Sequence, residues 1–372
     1  MSEKKYNKMK RLSIMLFFLI SSMSILYSQS VGDYRSRQTG NWTALTTWQS
    51  WNGTNWVNAT AYPTSASGVI TIRSPHTVTV NQNNLSIDQT VINAGATLNF
   101  ATNISLIYLN VDDGPGIDLI NNGTIIVTDA SSSDSRLVVN GQMVNNNNIE
   151  VQVDCHIHVY GTLVNNDSIV TDYVLTGAVY TGKLYVFGGG TFVSVPGAVV
   201  SGGGDFYLSA GATMGVGSAL GINAMGNNTG SIQTTYARYF SDEANYIYNG
   251  TTNQVTGTAF SRAASVTIAN TQGIVTFSDT LTMNYLIIEA NAKANLNTYT
   301  HTAGALVLPE GSYGTGTWGS TTSSASNKTN VYFDSTATGI VLLTNQVSDI
   351  YSITSTFSTC PTDSPFVAII ET

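Results

Sequence analysis

The chain has 372 residues, a net charge of −8 and only 10% charged residues, against about 25% in ordinary globular proteins. A hydrophobic share of 42% excludes wholesale disorder, and the acidic balance argues against nucleic acid as a partner. Low charge, 34 glycines and 19 tyrosines suit an elongated repeat protein with a surface of Thr, Ser and Asn better than two compact domains.

Residues 1–29 read as a secretory signal. Lys4, Lys5, Lys8, Lys10 and Arg11 precede the apolar run LSIMLFFLI, and the small residues Ser28 and Ser30 follow it. No stretch reaches the ~20 apolar residues of a membrane helix. The expectation is a secreted or cell-surface protein with no membrane insertion once the signal is removed.

Residues 30–80 hold an N-terminal cap and the first strands. Trp42, Trp48, Trp51 and Trp56 cluster here, as expected of an atypical segment that closes the open edge of a strand stack. The alternative is a glycan-binding platform, for which Trp51 and Trp56, beside Asn52 and Asn55, are the candidate residues.

From residue 81 to 344 short β-rich runs recur, and one stretch states the rule twice. VVNGQMVNNNNI (138–149) returns as HVYGTLVNNDSI (158–169), with Gly141 matching Gly161, Asn145 matching Asn165 and Ile149 matching Ile169. INNGTI (120–125) is a third copy, set twenty-four residues before its equivalent. A copy this short cannot bury its own apolar face, so copies must stack, and the Asn and Gly separators supply corners. Stacking sets equivalent residues about 4.8 Å apart, which predicts an Asn121–Asn145–Asn165 hydrogen-bonded ladder. INAGATLNF (92–100), echoed as LSAGATMGV (208–216), is read as further support for the coil repeat. The fold class is therefore all-β: a right-handed parallel β-helix (β-solenoid) of roughly ten coils with an aromatic N-terminal cap.

These residues also carry a resemblance. GNWTALTTW (40–48) with YPTSASGVITIRSPHTVTV (62–80), the module ANYIYNGTTNQVTGTAF continuing to residue 296, and GSYGTGTWGS (311–320) resemble segments of large exported surface proteins of Bacteroidetes. The resemblance implies an adhesin-like surface solenoid, specifies no reaction, and leads to the expectation of a C-terminal sorting domain for type IX secretion, which this sequence does not show. Residues 345–372 read instead as the start of an incomplete β domain or a linker, as in a fragment. Cys360 falls there and is expected to pair, if at all, with a cysteine outside this chain.

Catalysis is weighed because a parallel β-helix also carries polysaccharide lyases and hydrolases. Their chemistry needs paired carboxylates, or a base beside a cation. Candidates are Asp112, Asp113, Asp118, Asp154, Asp167, Asp172 and Asp205, with Arg136 and Lys183 as bases. Asp112 and Asp113 adjoin Gly114-Pro115-Gly116, where a turn explains them, and the others share no motif. His156 and His158 project from one side of a strand, but no third ligand lies at a recognisable spacing. Cys155 reads as a small buried hydrophobe. The expected function is a structural or adhesive solenoid contacting extracellular polysaccharide or cell-surface glycans, without cofactor or metal; the alternative is a carbohydrate-active enzyme.

Overall fold

The computed structural model describes residues 29–104, 106–129, 134–176 and 178–345, with 173–180 as backbone alone. Residues 1–28 of the signal segment and residues 346–372, with Cys360, lie outside the described residues.

Strands four or so residues long, separated by corners, wind into a parallel β-helix with three faces. On the first face, Ile70–Ile72 lies parallel to Thr90–Ile92, with Ile70 opposite Thr90. Ten successive parallel pairings carry that face to Thr300–Leu308. The second face runs from Gly40–Asn41 through Thr77–Val80 to Val199–Gly202, the third from Leu85–Ile87 to Ala237–Phe240. Period-2 alternation explains which residues form the core, because every second side chain of a strand points inward. Val78, Leu98, Ile125, Ile149, Ile169 and Val200 stack as one inward column of the second face, all fully buried. Each such side chain contributes roughly 1.5–3 kcal/mol by leaving water.

The corners are built by two devices. At the first, Asn145 lies opposite Asn165, and the predicted ladder is present: Asn121 Nδ2 donates to Asn145 Oδ1 at 2.7 Å, and Asn145 Nδ2 to Asn165 Oδ1 at 2.7 Å. All three side chains are fully buried. A second ladder runs beside it with opposite polarity, Asn166 donating to Asn146 and Asn146 to Asn122. The second device is a tight turn in which Ala96 N–H reaches the Asn93 carbonyl and Ala212 N–H reaches that of Ser209, with Gly95 and Gly211 at positive φ. This corrects the expectation drawn from INAGATLNF and LSAGATMGV. The first copy turns from the first face to the second, the other from the third face to the first, so the echo marks a shared turn chemistry and not equivalent positions in the coil.

Antiparallel strands close the N-terminal end. Tyr34–Ser36 continues the first face in parallel, then Trp48–Trp51 pairs with it antiparallel and Trp56–Asn58 folds back on that. Trp42 and Trp48 are fully buried in the same core cluster as Ile70 and Ile72. Their rings meet edge to face at 4.9 Å, and both indole N–H groups are satisfied, by the carbonyls of Pro63 and Trp42. The aromatic cap is thus a plug made by two of the four tryptophans. At the other end Ile340–Thr344 adds in parallel to the first face, and Thr315–Gly319 runs antiparallel to it.

Arg238 ends the third face in an unusual way. It is in register with Phe206, at an inward position that earlier coils give to Leu137, Ile157 and Leu184. Its guanidinium donates to the carbonyls of Thr234, Asn223, Ala224 and Asn227 and to Asn228 Oδ1. The preceding loop folds around this buried cation, and the strands that follow, Arg262–Ile268, Thr282–Ile288 and Thr300–Leu308, lengthen to seven, seven and nine residues.

Candidate binding face

The outward side of the third face is where the chain's chemistry collects. Register places Arg136, His156, Lys183 and Asp205 in one outward column on successive coils. Two residues further along each strand, Val138, His158, Tyr185, Tyr207 and Tyr239 form a second column. Tyr160 and Phe187, one position beyond their strands, begin a third.

The aromatic columns are stacked. Tyr185 and Tyr207 lie 4.4 Å apart, Tyr207 and Tyr239 4.4 Å, and Tyr160 and Phe187 4.5 Å, each pair within about 20° of parallel. His158 meets Tyr185 and Phe187 edge-on at 5.3 and 5.0 Å. Only the end rings are well exposed: Tyr160 at 47% and Tyr239 at 53%. Among the described residues no third-face strand follows the one that carries Tyr239.

Beside the stack, Arg136 is hydrogen-bonded to Asp134, and Asp134 Oδ1 lies 2.6 Å from His156 Nδ1. Burial raises the Asp134 carboxyl, but the hydrogen bond from Arg136 and the positive charge around it outweigh burial and hold it below the usual carboxylate range. Burial pushes His156 below the ordinary imidazole value despite Asp134, with Lys183 and Arg136 adding to the drop. His158 falls to about 4 through burial and then Arg136. Burial thus favours the neutral form of both imidazoles. Asp205 is raised by burial, while Thr181 Oγ1 donates to its Oδ2 at 2.9 Å. Its Oδ1 and His158 Nε2 are buried without a protein partner.

Of the sequence candidates, Asp205, Arg136, Lys183, His156 and His158 come together here. The remaining aspartates do not. Asp118 accepts from the backbone N–H groups of Gly114 and Gln142, Asp112 from Ser86 Oγ, and Asp154 sits at positive φ in a turn. Asp172 and Asp167 flank corners or the hairpin of Tyr173–Thr176 and Ala178–Thr181. Trp51 and Trp56 lie far back at the N-terminal end, opposed across their hairpin with ring centroids 5.4 Å apart and tilted by 58°, and Arg35 covers Trp56 at 4.4 Å. Both are half-buried. Cys155 is buried and its thiol is pushed up by burial.

Comparison with protein-family models, curated proteins and solved structures returns no match. Among the described residues no group of three or more His, Cys, Asp or Glu is placed to hold a metal, and no helix is long and apolar enough to cross a membrane.

Sequence reading missed the aromatic stack. The rings belong to no repeated motif, and the only signal available was the alternation HIHVY, KLYVF, DFYL and ARYF, in which a ring or imidazole recurs at the third position of successive third-face strands.

Proposed function

We propose that this protein is a secreted or cell-surface adhesive solenoid that contacts extracellular glycans through the outward side of its third face. What carries the reading is the presence of exposed, preformed aromatic rings, Tyr160 and Tyr239, on a rigid parallel stack beside the polar column of Arg136 and Lys183. Aromatic faces match the C–H side of a sugar ring, and exposed polar groups match its hydroxyls. The stack is held by the core on its inner side, so little ordering free energy is lost when a ligand docks. The basic and apolar N-terminal segment and the resemblance to exported Bacteroidetes surface proteins support the location. Trp51 and Trp56 are a second contact candidate at the capped end.

The enzyme reading draws on Asp134, His156 and Arg136, which could orient a base beside a cation. Hydrolysis fits poorly: Asp134 leads into Arg136–Val139, three coils from the strand that carries Asp205 and so about 14 Å along the stack, whereas two carboxyls flanking a glycosidic bond stand ~5–9.5 Å apart. Glycan-array binding of the chain beside a Tyr160→Ala/Tyr239→Ala variant tests the proposal. Equal binding by both would remove the third face from it.

A further inference from the structure

The outward side of the first face carries a file of aliphatic side chains that the glycan reading does not use. Val91, Ile120, Val144, Val164 and Val193 stand in register on five successive coils, and the file runs on to Val307 with breaks at Gly215 and Thr267. Thr162, Thr191 and Thr213 line it on one side, Asn122, Asn146 and Asn166 on the other. Outward positions of a sheet that faces water are ordinarily polar, whereas apolar residues on both sides of a strand mark a sheet covered on both. The second face follows the first pattern, with Thr77, Thr97, Thr124, Asn148 and Ser168 in one outward column. The first face follows the second pattern, yet among the described residues its outer side chains are shielded only as those of the second face are: Val144 and Val193 are half-buried, and so are Thr97 and Glu150.

Charge, area and spacing select what covers this face. From the coil of Gln142 to that of Ser265 the file and its two flanking columns contain no Asp, Glu, Lys or Arg, so two copies of a chain with net charge −8 meet there without like charge. Nine coil steps of ~4.8 Å and three columns ~6.8 Å apart make a patch of about 43 by 14 Å, on the order of 600–900 Å² with its margins. A standard stable interface takes ~800 Å² from each partner. The rise of ~4.8 Å per coil matches itself tier for tier, as between paired sheets whose side chains interdigitate, and a surface of another repeat would drift out of step.

We infer that the first face packs against the same face of a second copy, the two helices running in opposite directions about a two-fold axis. Sheets stacked in this way stand ~10 Å apart. The file from Val91 to Val307 has its midpoint between Val193 and Gly215, so full overlap sets Val193 of each copy over the side-chain gap at Gly215 of the other. The pairing uses no third-face residue and stands whether or not that face contacts glycans.

The test is sedimentation velocity of the full chain across a micromolar concentration series, with small-angle scattering of the same samples. A dimer is expected whose longest dimension stays close to that of a single copy while its cross-section doubles. Val144→Lys and Val193→Lys point outward, so each lysine can reach water in the separate copy and the circular dichroism of the fold is expected to stay unchanged. In the dimer each brings a charge into the interface and is expected to raise the dissociation constant at least ~tenfold. Val170→Lys, outward on the second face, is the control and is expected to leave association as it was. A chain that stays monomeric throughout, a dimer of twice the length, or a dimer indifferent to both first-face lysines or weakened equally by the control would overturn the inference. A monomer that sediments with insoluble cellulose or chitin, and loses this with Val144→Lys, would give the face to a polysaccharide instead of a second copy. None of these outcomes touches the Tyr160→Ala/Tyr239→Ala comparison, which decides the third face separately.

Discussion

Replacing Asn145 by valine tests the corner ladder directly. Asn145 Nδ2 donates to Asn165 Oδ1 at 2.7 Å, to the Asn147 carbonyl at 2.8 Å and to the Ser168 carbonyl at 3.1 Å, while its Oδ1 accepts from Asn121. Valine leaves Asn165 Oδ1 buried without a donor and weakens two carbonyls. Asn121 Nδ2 retains the Asn148 carbonyl at 3.0 Å. At ~1–3 kcal/mol for each buried group left unsatisfied, the expected loss is about 2–4 kcal/mol. Asn165→Val alone is expected to cost a similar amount. The double variant removes both members of the pair and so is expected to cost about 1–2 kcal/mol less than the sum. Because long repeat arrays do not unfold in one step, the readout is local: hydrogen exchange of the Asn146 and Asn166 amides, which donate to the carbonyls of Asn121 and Asn145. Asn146→Ala, in the outer and half-buried ladder, serves as the control and is expected to cost under ~1 kcal/mol. Additive losses for the pair, or an Asn145→Val loss no larger than the control's, would refute the reasoning.

Trp48→Ala is expected to destabilise by about 3–5 kcal/mol, because the fully buried ring leaves a cavity at the end of the core, whereas Trp51→Ala should leave the melt nearly unchanged; equal effects would refute the split between plug and surface. His301 is fully buried, accepts at Nδ1 from Leu281 N–H and pairs through Nε2 with the Leu296 carbonyl, so it is held neutral and burial lowers it to about 4. The unfolded chain then takes up the proton first as pH falls, so His301's contribution is complete above about 6.5 and is lost between there and about 4; denaturation midpoints across that window should fall, and His301→Gln should remove its share of the slope. Purified protein incubated with pectin, alginate or glycosaminoglycans should release neither new reducing ends nor unsaturated products; turnover abolished by His156→Ala or Asp134→Asn would establish the enzyme reading.

The fold was legible in the sequence where one residue type had to recur. Asn121, Asn145 and Asn165 each need an identical neighbour to satisfy a buried amide, so the chain repeats the letter and the period shows. The turn built on Gly95 and Gly211 was also legible, but it can serve any corner, which is why its echo misled about coil equivalence. The polar and aromatic columns of the third face were hidden for the opposite reason. Arg136, His156, Lys183 and Asp205 share one column yet differ in chemistry, and the hairpin between Tyr173 and Thr181 breaks the spacing between His156 and Lys183. Only the register, not the letters, brings them together. The tryptophans split because burial depends on whether a strand faces the core or turns back over it, which neighbouring residues do not specify.

The twenty-residue step between Ile70 and Thr90, repeated between Met143 and Leu163 and between Val266 and Leu286, has a mechanical meaning. A chain tethered at one end of such a helix and pulled at the other loses coils in turn, since each is held to the next by a single tier of hydrogen bonds on each face. One released coil lengthens the tether by about 60–70 Å, and the coils enlarged by insertions release more. The molecule would therefore yield under tension in graded increments, as a shock absorber does, while the unreleased coils keep their surface intact.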